Sequence, residues 1–185
     1  LHGSEHSFPT RRSSDLFNRN LLLAGSILTA AATITSCSNQ NKAHDAAAAT
    51  AENDSIEARQ MAKEETFLAQ KAKETGVQSL GGGLLYKVLR AGNGAQPTST
   101  SMVTVDYEGK LIDGTIFDSS YQRGEPASFP VSGVVAGWQI ALKAMHVGDE
   151  WEVYIPQYLG YGENGTGNIP PYSTLIFKIA LKSVD

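Results

Sequence analysis

The stretch 105–120 carries the first residues whose types and spacing suggest chemistry, namely Tyr107, Phe117 and Asp118. Apolar and polar residues alternate through Tyr107, as in a half-buried strand, and the Asp-Gly pair at 113–114 is typical of a tight hairpin turn. Phe117 and the carboxylate of Asp118 come shortly after that turn. One interpretation is structural, with both rings in the core and Asp118 capping a backbone amide. The other is an aromatic binding wall with a carboxylate at its rim.

Three later segments supply the aromatic and apolar residues that such a wall would need. They read VVAGW at 134–138, IPQYLGYG at 155–162 and IPPYSTLIF at 169–177. Each segment, taken alone, is also explained by core packing. Together with the stretch at 105–120, they predict an apolar pocket lined by aromatic rings, with a few polar groups at its rim, as in many small-ligand sites.

The elements that must position these residues form an α+β domain. Strand patterns occur at 84–89, 102–110, 150–155 and 174–184. The last of them alternates cleanly, which suits an antiparallel sheet with one covered face. The segment 137–145 has one apolar helical face, so we expect a short helix there to cover the sheet.

Composition excludes several classes of function. The chain of 185 residues has 15 basic and 19 acidic residues, so it lacks the basic excess that nucleic-acid binding needs. Its one cysteine, Cys37, excludes an intramolecular disulfide and a site built from several cysteines. The four histidines are scattered along the chain, and we expect no metal site.

Six segments of the chain read VDYEGKLIDGTIFDSS, RGEPASF, VVAGW, MHVGDEWEVYIP, LGYG and IPPYSTLIFKIAL. In order and at matching spacing, they resemble the FKBP-type peptidyl-prolyl cis-trans isomerases, and the resemblance extends over about 100 residues, from Leu84 to Asp185. The resemblance implies a curved antiparallel sheet of about five strands wrapped on one short helix. The form of the loops is similar to the bacterial envelope branch of the family, whose members carry a helical segment before this domain.

Carried over residue by residue, the resemblance implies a floor, walls and a mouth for the pocket. Trp138 would form the floor, and Ala127 and Tyr172 stand where the family often has other residues. The residues expected to act in catalysis are Tyr107, Phe117, Asp118, Trp138, Tyr161 and Phe177. Those expected to bind substrate are Phe129, Val134, Val135, Ile169 and Tyr172.

The implied activity is rotation of X-Pro peptide bonds in proline-containing unfolded or nascent envelope proteins. Because rotation makes and breaks no covalent bond, no metal or cofactor is expected. The resemblance also implies binding of macrolides such as rapamycin or tacrolimus. Asp118 would orient the twisted carbonyl or tie loops together, and both roles remain open. The alternatives are a lipid-anchored chaperone or binding module without turnover, and a purely structural envelope lipoprotein.

The N-terminal part of the chain reads as a targeting segment. Residues 1–16 fit no signal-peptide pattern and are interpreted as an artefact or a disordered segment. Residues 17–37 combine Arg19 with a short apolar run and end in Ile-Thr-Ser-Cys, which resembles the lipobox of bacterial lipoproteins. We therefore expect lipidation at Cys37 and a lipid-anchored protein of the bacterial envelope, facing the periplasm or the cell surface. The alternative is an ordinary signal peptide with an incidental cysteine.

Residues 38–83 are interpreted as a tether and a helical spacer before the domain at 84–185. The segment 38–50 is polar and alanine-rich, and 51–75 is rich in helix formers but has a thin apolar stripe. We expect a solvated helical spacer, with a homodimerisation helix as the alternative. Three glycines at 81–83 predict a flexible joint.

Overall fold

The computed structural model describes residues 38–185, with side chains from residue 53 onward. The predicted artefact at 1–16, the predicted signal peptide at 17–37 and the predicted lipidation site Cys37 lie outside the described residues.

The described chain contains three helices and seven strands. The helices are α1 (Ser38–Lys71), α2 (Ser120–Arg123) and α3 (Ala136–Leu142). The strands are β1 (Val77–Gly81), β2 (Leu84–Arg90), β3 (Met102–Lys110), β4 (Ile116–Ser119), β5 (Ala127–Pro130), β6 (Glu150–Ile155) and β7 (Leu175–Val184). Two short 3₁₀ turns occur at Val131–Gly133 and Gln157–Leu159.

All seven strands form one antiparallel sheet in the order β1-β2-β6-β7-β3-β4, with β5 also paired to β3. Strands β4 and β5 share one edge of β3, since β4 pairs with its second half and β5 with its first half. The prediction of an α+β fold with an antiparallel sheet and a short helix is confirmed, although the sheet has seven strands and not about five. It begins at Val77, within the segment interpreted as spacer.

Helix α3 covers one face of the sheet and forms the main core with it. Trp138, Ala141 and Leu142 are buried against apolar residues of β2, β3, β6 and β7. Gly137 lets the helix approach β6 closely, because a Cβ atom there would lie 2.4 Å from Cγ2 of Ile155. The helix ends at Leu142, three residues before the predicted end.

Helix α1 packs on the opposite face of the sheet, so the domain has three layers. Phe67 and Leu68 pack against a second apolar cluster formed by Leu85, Tyr154 and Ile176. The helix also includes residues 38–50, where a tether was predicted, and its second half is docked where a solvated spacer was expected. Apolar side chains on the outward face of the sheet are the physical reason for this docking, because they would otherwise face water.

The three glycines expected to form a flexible joint instead form a tight turn between β1 and β2. Gly81, Gly82 and Gly83 have φ values of 97°, 58° and 76°, a region that other residues rarely adopt. The Tyr158 hydroxyl donates a hydrogen bond of 3.0 Å to the carbonyl oxygen of Gly82. The turn is therefore attached to the domain.

Within residues 38–185, none of the helices combines the length and the hydropathy needed to cross a bilayer. The same part of the chain contains no group of three or more His, Cys, Asp or Glu residues arranged to hold a metal ion.

Candidate active site

A cavity of about 530 Å³ opens between the start of α3, strands β3, β4 and β7, and the loop that joins β6 to β7. We call that loop, residues 156–174, the mouth loop. The lining residues of the cavity are Tyr107, Phe117, Asp118, Phe129, Gly133, Val134, Val135, Trp138, Tyr161, Thr166, Gly167, Asn168, Ile169 and Phe177.

Trp138 lies at the centre of an aromatic cage. Its ring meets those of Tyr107, Phe129 and Phe177 edge to face, with centroid distances of 5.3, 6.0 and 5.1 Å. Edge-to-face contacts of this kind stabilise aromatic pairs beyond the area that they bury. Trp138 is only 4% exposed and lines the cavity, so its indole forms the floor of the cavity.

Phe117 and Phe177 form a wall above strand β3. Their rings meet edge to face at 5.5 Å between centroids, and both lie over Gly109. A Cβ atom on Gly109 would lie 2.6 Å from each of the two rings. The wall therefore requires glycine at this position of β3.

A polar group closes the side of the cavity near Phe117. The Tyr107 hydroxyl donates a hydrogen bond to the Asp118 carboxylate, and the Arg123 guanidinium donates to the other oxygen of that carboxylate. Arg123 also donates to the Tyr107 oxygen, at 2.9 Å. The three side chains tie β3, β4 and α2 together.

The contacts of this group shift its ionisation. Burial raises the pKa of the Asp118 carboxyl, but the hydrogen bonds from Tyr107 and Arg123, with the Arg123 charge, outweigh burial and hold that pKa below its usual range. Burial, together with the hydrogen bond to Asp118, raises the pKa of the Tyr107 hydroxyl. At neutral pH Asp118 is therefore an anion and Tyr107 a neutral donor.

Helix α2 places Arg123 through two serines. Ser119 caps the helix by accepting a hydrogen bond from the Gln122 backbone N–H at 3.4 Å. The buried Ser120 hydroxyl accepts one from the Tyr107 backbone N–H at 2.8 Å. These bonds join the start of α2 to β3 and set the direction from which Arg123 reaches Asp118.

The mouth loop supplies five of the lining residues, from Tyr161 to Ile169. Tyr161 is 39% exposed, whereas Ile169 is 7% exposed. Thr166 and Ile169 exchange two backbone hydrogen bonds, of 2.9 and 2.8 Å, which close the tip of the loop. The loop thus presents the solvent-exposed ring of Tyr161 and the buried side chain of Ile169 to the opening of the cavity.

The structure brings ten of the eleven sequence-predicted site residues around the cavity, and Tyr172 is the exception. Its hydroxyl donates a hydrogen bond to Glu57 of α1, because a φ of 58° redirects the chain after two prolines. Sequence reasoning missed Arg123, whose hydrogen-bond partners lie up to 16 residues away along the chain. It also missed four small or polar lining residues, namely Gly133, Thr166, Gly167 and Asn168. No local pattern marks these residues as part of a site.

Comparison with known proteins identifies the family. The family described as "FKBP-type peptidyl-prolyl cis-trans isomerase" matches residues 93–182, and the "domain amino terminal to FKBP-type peptidyl-prolyl isomerase" matches residues 11–88. A crystal structure of FkpA from Escherichia coli is 40% identical in sequence with a TM-score of 0.71, over 80% of this chain and 69% of that chain. The chain belongs to the FKBP-type isomerase family.

Two curated relatives extend the comparison. The FKBP-type 22 kDa peptidyl-prolyl cis-trans isomerase of Escherichia coli strain K12 is 54% identical over 119 residues, which are 64% of this chain and 58% of that protein. The outer membrane protein MIP of Legionella longbeachae is 48% identical over 124 residues, 66% of this chain and 53% of that protein. The chain thus spans little more than half of the length of these relatives.

Proposed function

We propose that the chain is a peptidyl-prolyl cis-trans isomerase that assists the folding of envelope proteins by rotating X-Pro bonds in the cavity above Trp138. The observation that carries this proposal is the cage of three rings, from Tyr107, Phe129 and Phe177, around the apolar floor formed by Trp138. The cage has flat walls for a pyrrolidine ring. The name of the Escherichia coli relative, a 22 kDa peptidyl-prolyl cis-trans isomerase, supports the same conclusion.

The reaction needs only a change in the stability of the planar amide relative to the twisted amide. Rotation has a barrier of about 18–20 kcal/mol because the C–N bond has partial double-bond character. The twisted amide has lost resonance and is less dipolar than the planar one. An apolar cavity therefore destabilises the planar ground state more than the transition state, and this difference accelerates rotation.

The polar groups at the rim have different roles in this proposal. The exposed Tyr161 hydroxyl or a backbone amide of the mouth loop would hold a carbonyl of the peptide next to proline. Asp118 is an acceptor that already receives hydrogen bonds from Tyr107 and Arg123. This favours the loop-tying role for Asp118 over orientation of the substrate carbonyl.

A proline-switch assay tests the function. The cis-to-trans relaxation of a short X-Pro peptide is followed with and without the full chain at micromolar concentration, and acceleration is expected. Suppression of aggregation of a proline-free unfolded protein is measured in parallel. Aggregation suppressed without any acceleration would favour the chaperone alternative and overturn the isomerase proposal.

Macrolide binding is proposed for the same cavity. A bulky apolar ligand such as rapamycin or tacrolimus would fill the space between Trp138 and the Phe117–Phe177 wall. We expect either compound to inhibit the proline-switch reaction competitively and to quench the fluorescence of Trp138. Full activity at saturating macrolide would contradict this assignment.

Anchoring in the bacterial envelope through lipid on Cys37 is proposed from the Ile-Thr-Ser-Cys sequence at 34–37. The name of the Legionella longbeachae relative as an outer membrane protein supports an envelope location. In a bacterial host, the chain should enter the detergent phase, and the Cys37→Ala variant should not. A Thr50→Ala variant serves as the control. Equal partitioning of the Cys37→Ala and parent chains would exclude the lipid anchor.

Homodimerisation through residues 51–75 is proposed as a further property of α1. Ile56 and Met61 are 54% and 37% exposed, so they are available to a second copy. Sedimentation equilibrium should give a dimer mass for the full chain, and an Ile56→Lys, Met61→Lys variant should be monomeric. A monomer mass for the parent chain would contradict the proposal.

A further inference from the structure

The mouth loop is tied to α1 at its C-terminal stem. The stem consists of residues 170–174, which directly follow the lining residue Ile169 and lead into β7. Ser173 and Thr174 are 5% and 1% exposed, so the end of the stem that leads into β7 is buried, whereas Pro170 and Pro171 are exposed. The contacts that bury it come partly from a helix on the other side of the sheet.

Glu64 of α1 makes the central contact. One carboxylate oxygen accepts a hydrogen bond of 2.9 Å from the Thr174 backbone N–H, and the other accepts one of 2.6 Å from the Gln60 amide. Glu64 is only 4% exposed. Among the described residues of α1, its carboxylate is the buried acidic group.

A second carboxylate of α1 lies two helical turns earlier and reaches the same stem. The Tyr172 hydroxyl donates a hydrogen bond of 3.2 Å to Glu57. Positions 57 and 64 differ by seven residues, so they lie on one face of the helix. Tyr172 has a φ of 58°, which is uncommon for a residue with a side chain, and its backbone N–H donates to the Gly162 oxygen at 2.9 Å.

The chain between this attachment and Ile169 has little freedom. Pro170 and Pro171 each have a fixed φ. The Ser173 hydroxyl donates to the Pro170 carbonyl at 2.8 Å, which closes the stem into a turn. A shift of Thr174 is therefore passed to Ile169 and is not absorbed by the connecting residues.

Burial of a carboxylate is a costly way to hold a helix on a sheet. Phe67 and Leu68 already supply apolar contacts with the sheet, and an apolar residue at position 64 would add to them without desolvating a charge. What an apolar residue cannot do is accept a hydrogen bond from the Thr174 N–H. The contact therefore serves the position of the stem more than the docking of the helix.

We propose that Glu64 is a positioning residue for the active site, which acts through Thr174 and the stem to set Ile169 at the mouth of the cavity. Glu57 and Tyr172 assist it from the same helix face. The effect on catalysis rests on the proposed isomerase function, whereas the effect on Ile169 does not.

The test compares four variants of the full chain. Glu64→Ala removes both acceptor oxygens, Glu64→Gln keeps one acceptor for Thr174, and Tyr172→Phe removes only the hydroxyl that reaches Glu57. Glu65→Ala is the matched control, since Glu65 is an exposed neighbour on the same helix. The measurements are the methyl NMR signal of Ile169, the urea midpoint, and KM and kcat for an X-Pro peptide.

We expect Glu64→Ala to move the Ile169 methyl signal and to raise KM at least about threefold with kcat largely kept, which is the pattern of lost binding contacts. Glu64→Gln should largely keep the methyl signal and the KM of the parent chain. Tyr172→Phe should show a smaller shift of the Ile169 methyl signal, and Glu65→Ala should match the parent in both measurements. An unchanged Ile169 signal in Glu64→Ala, whatever its urea midpoint, would overturn the proposal. A parent chain without turnover would overturn the isomerase function, while the Ile169 signal would still decide the positioning role.

Discussion

At the scale of single residues, Phe117 is a partly exposed wall of the cavity and not a member of the closed core. We expect Phe117→Ala to lower kcat/KM by about tenfold or more, because a bound proline ring loses a flat contact surface. The loss of stability should be smaller than the roughly 3–5 kcal/mol typical of a fully buried phenylalanine. Urea midpoints and kcat/KM should be measured together, with Tyr121→Ala, an exposed aromatic outside the cavity, as the control.

If the urea midpoint of Phe117→Ala falls in step with its activity, Phe117 is part of the scaffold. The hairpin interpretation of residues 105–120, with the rings of Tyr107 and Phe117 in the core, would then account for this residue.

Asp118 offers a pH test of the polar group beside Phe117. Its folded-state pKa is held below the usual value of 3.8, so its ionised form stabilises the fold above about that pH. This contribution is lost as the pH falls through the lowered pKa. The urea midpoint of the parent chain should therefore exceed that of Asp118→Asn at neutral pH, and the difference should shrink on acidification. The contribution of ionised Asp118 to the free energy of unfolding is modest, because its side chain is 43% exposed and solvent screens its charge.

A difference between the two midpoints that stays constant from about pH 7 down to about pH 2 would contradict the assignment of an ionised, hydrogen-bonded Asp118.

At the scale of elements, the docking of α1 should depend on pH in the opposite direction. Burial raises the pKa of Glu64 above its ordinary value of 4.5, against the hydrogen bond from Thr174 and the charge of Lys63, while Asp113 adds to the increase. Between 4.5 and the raised value, the folded chain binds more protons than the unfolded chain, so the free energy of unfolding falls as pH rises. Relative to Glu64→Gln, the parent chain should lose stability across that window. Parallel pH profiles of the two urea midpoints would contradict this.

The sequence predicted the central strands of the fold but not its peripheral elements, namely β1 and the first part of α1. The ranges 102–110 and 150–155 match β3 and β6 because their alternation of apolar and polar residues is strong. Strand β1 was missed because its five residues are mostly polar or exposed and pair only at the edge of the sheet. Residues 38–50 have no apolar periodicity, and only their alanine content favoured the helix that they form.

The candidate site divides in the same way. Its aromatic residues were predictable because several of them recur in short segments between turns, and the family resemblance implied a role for each. Arg123 and Glu64 were not predictable as residues of interest, because the function of a charged side chain depends on the groups that it contacts in the folded chain. Glu64 contacts Thr174 across 110 positions of the sequence, a distance that no local pattern spans.

At the scale of the whole molecule, one sheet separates α1 from the cavity. Besides the apolar contacts of Phe67 and Leu68 with that sheet, two attachments join the N-terminal part to the rest of the domain. One is β1, whose Leu80 packs against the main core and whose backbone pairs with β2. The other is the contact of Glu57 and Glu64 with the mouth loop. The β1 attachment should contribute to the stability of the fold, and the Glu57 and Glu64 contacts should set the geometry of the mouth. Truncation at different positions can separate these two contributions.

We therefore expect different results from chains that begin at Val77 and at Leu84. Both retain every residue that lines the cavity, and both lack α1, so both should keep kcat but show the raised KM expected of Glu64→Ala. Only the chain from Leu84 also loses β1, which leaves β2 as an unpaired edge and opens the core beside Leu80. Its urea midpoint should therefore be lower, and it should aggregate more readily, as light scattering would show. Equal midpoints would mean that β1 adds nothing to the fold, and a KM equal to that of the full chain would mean that the mouth loop holds its position without α1.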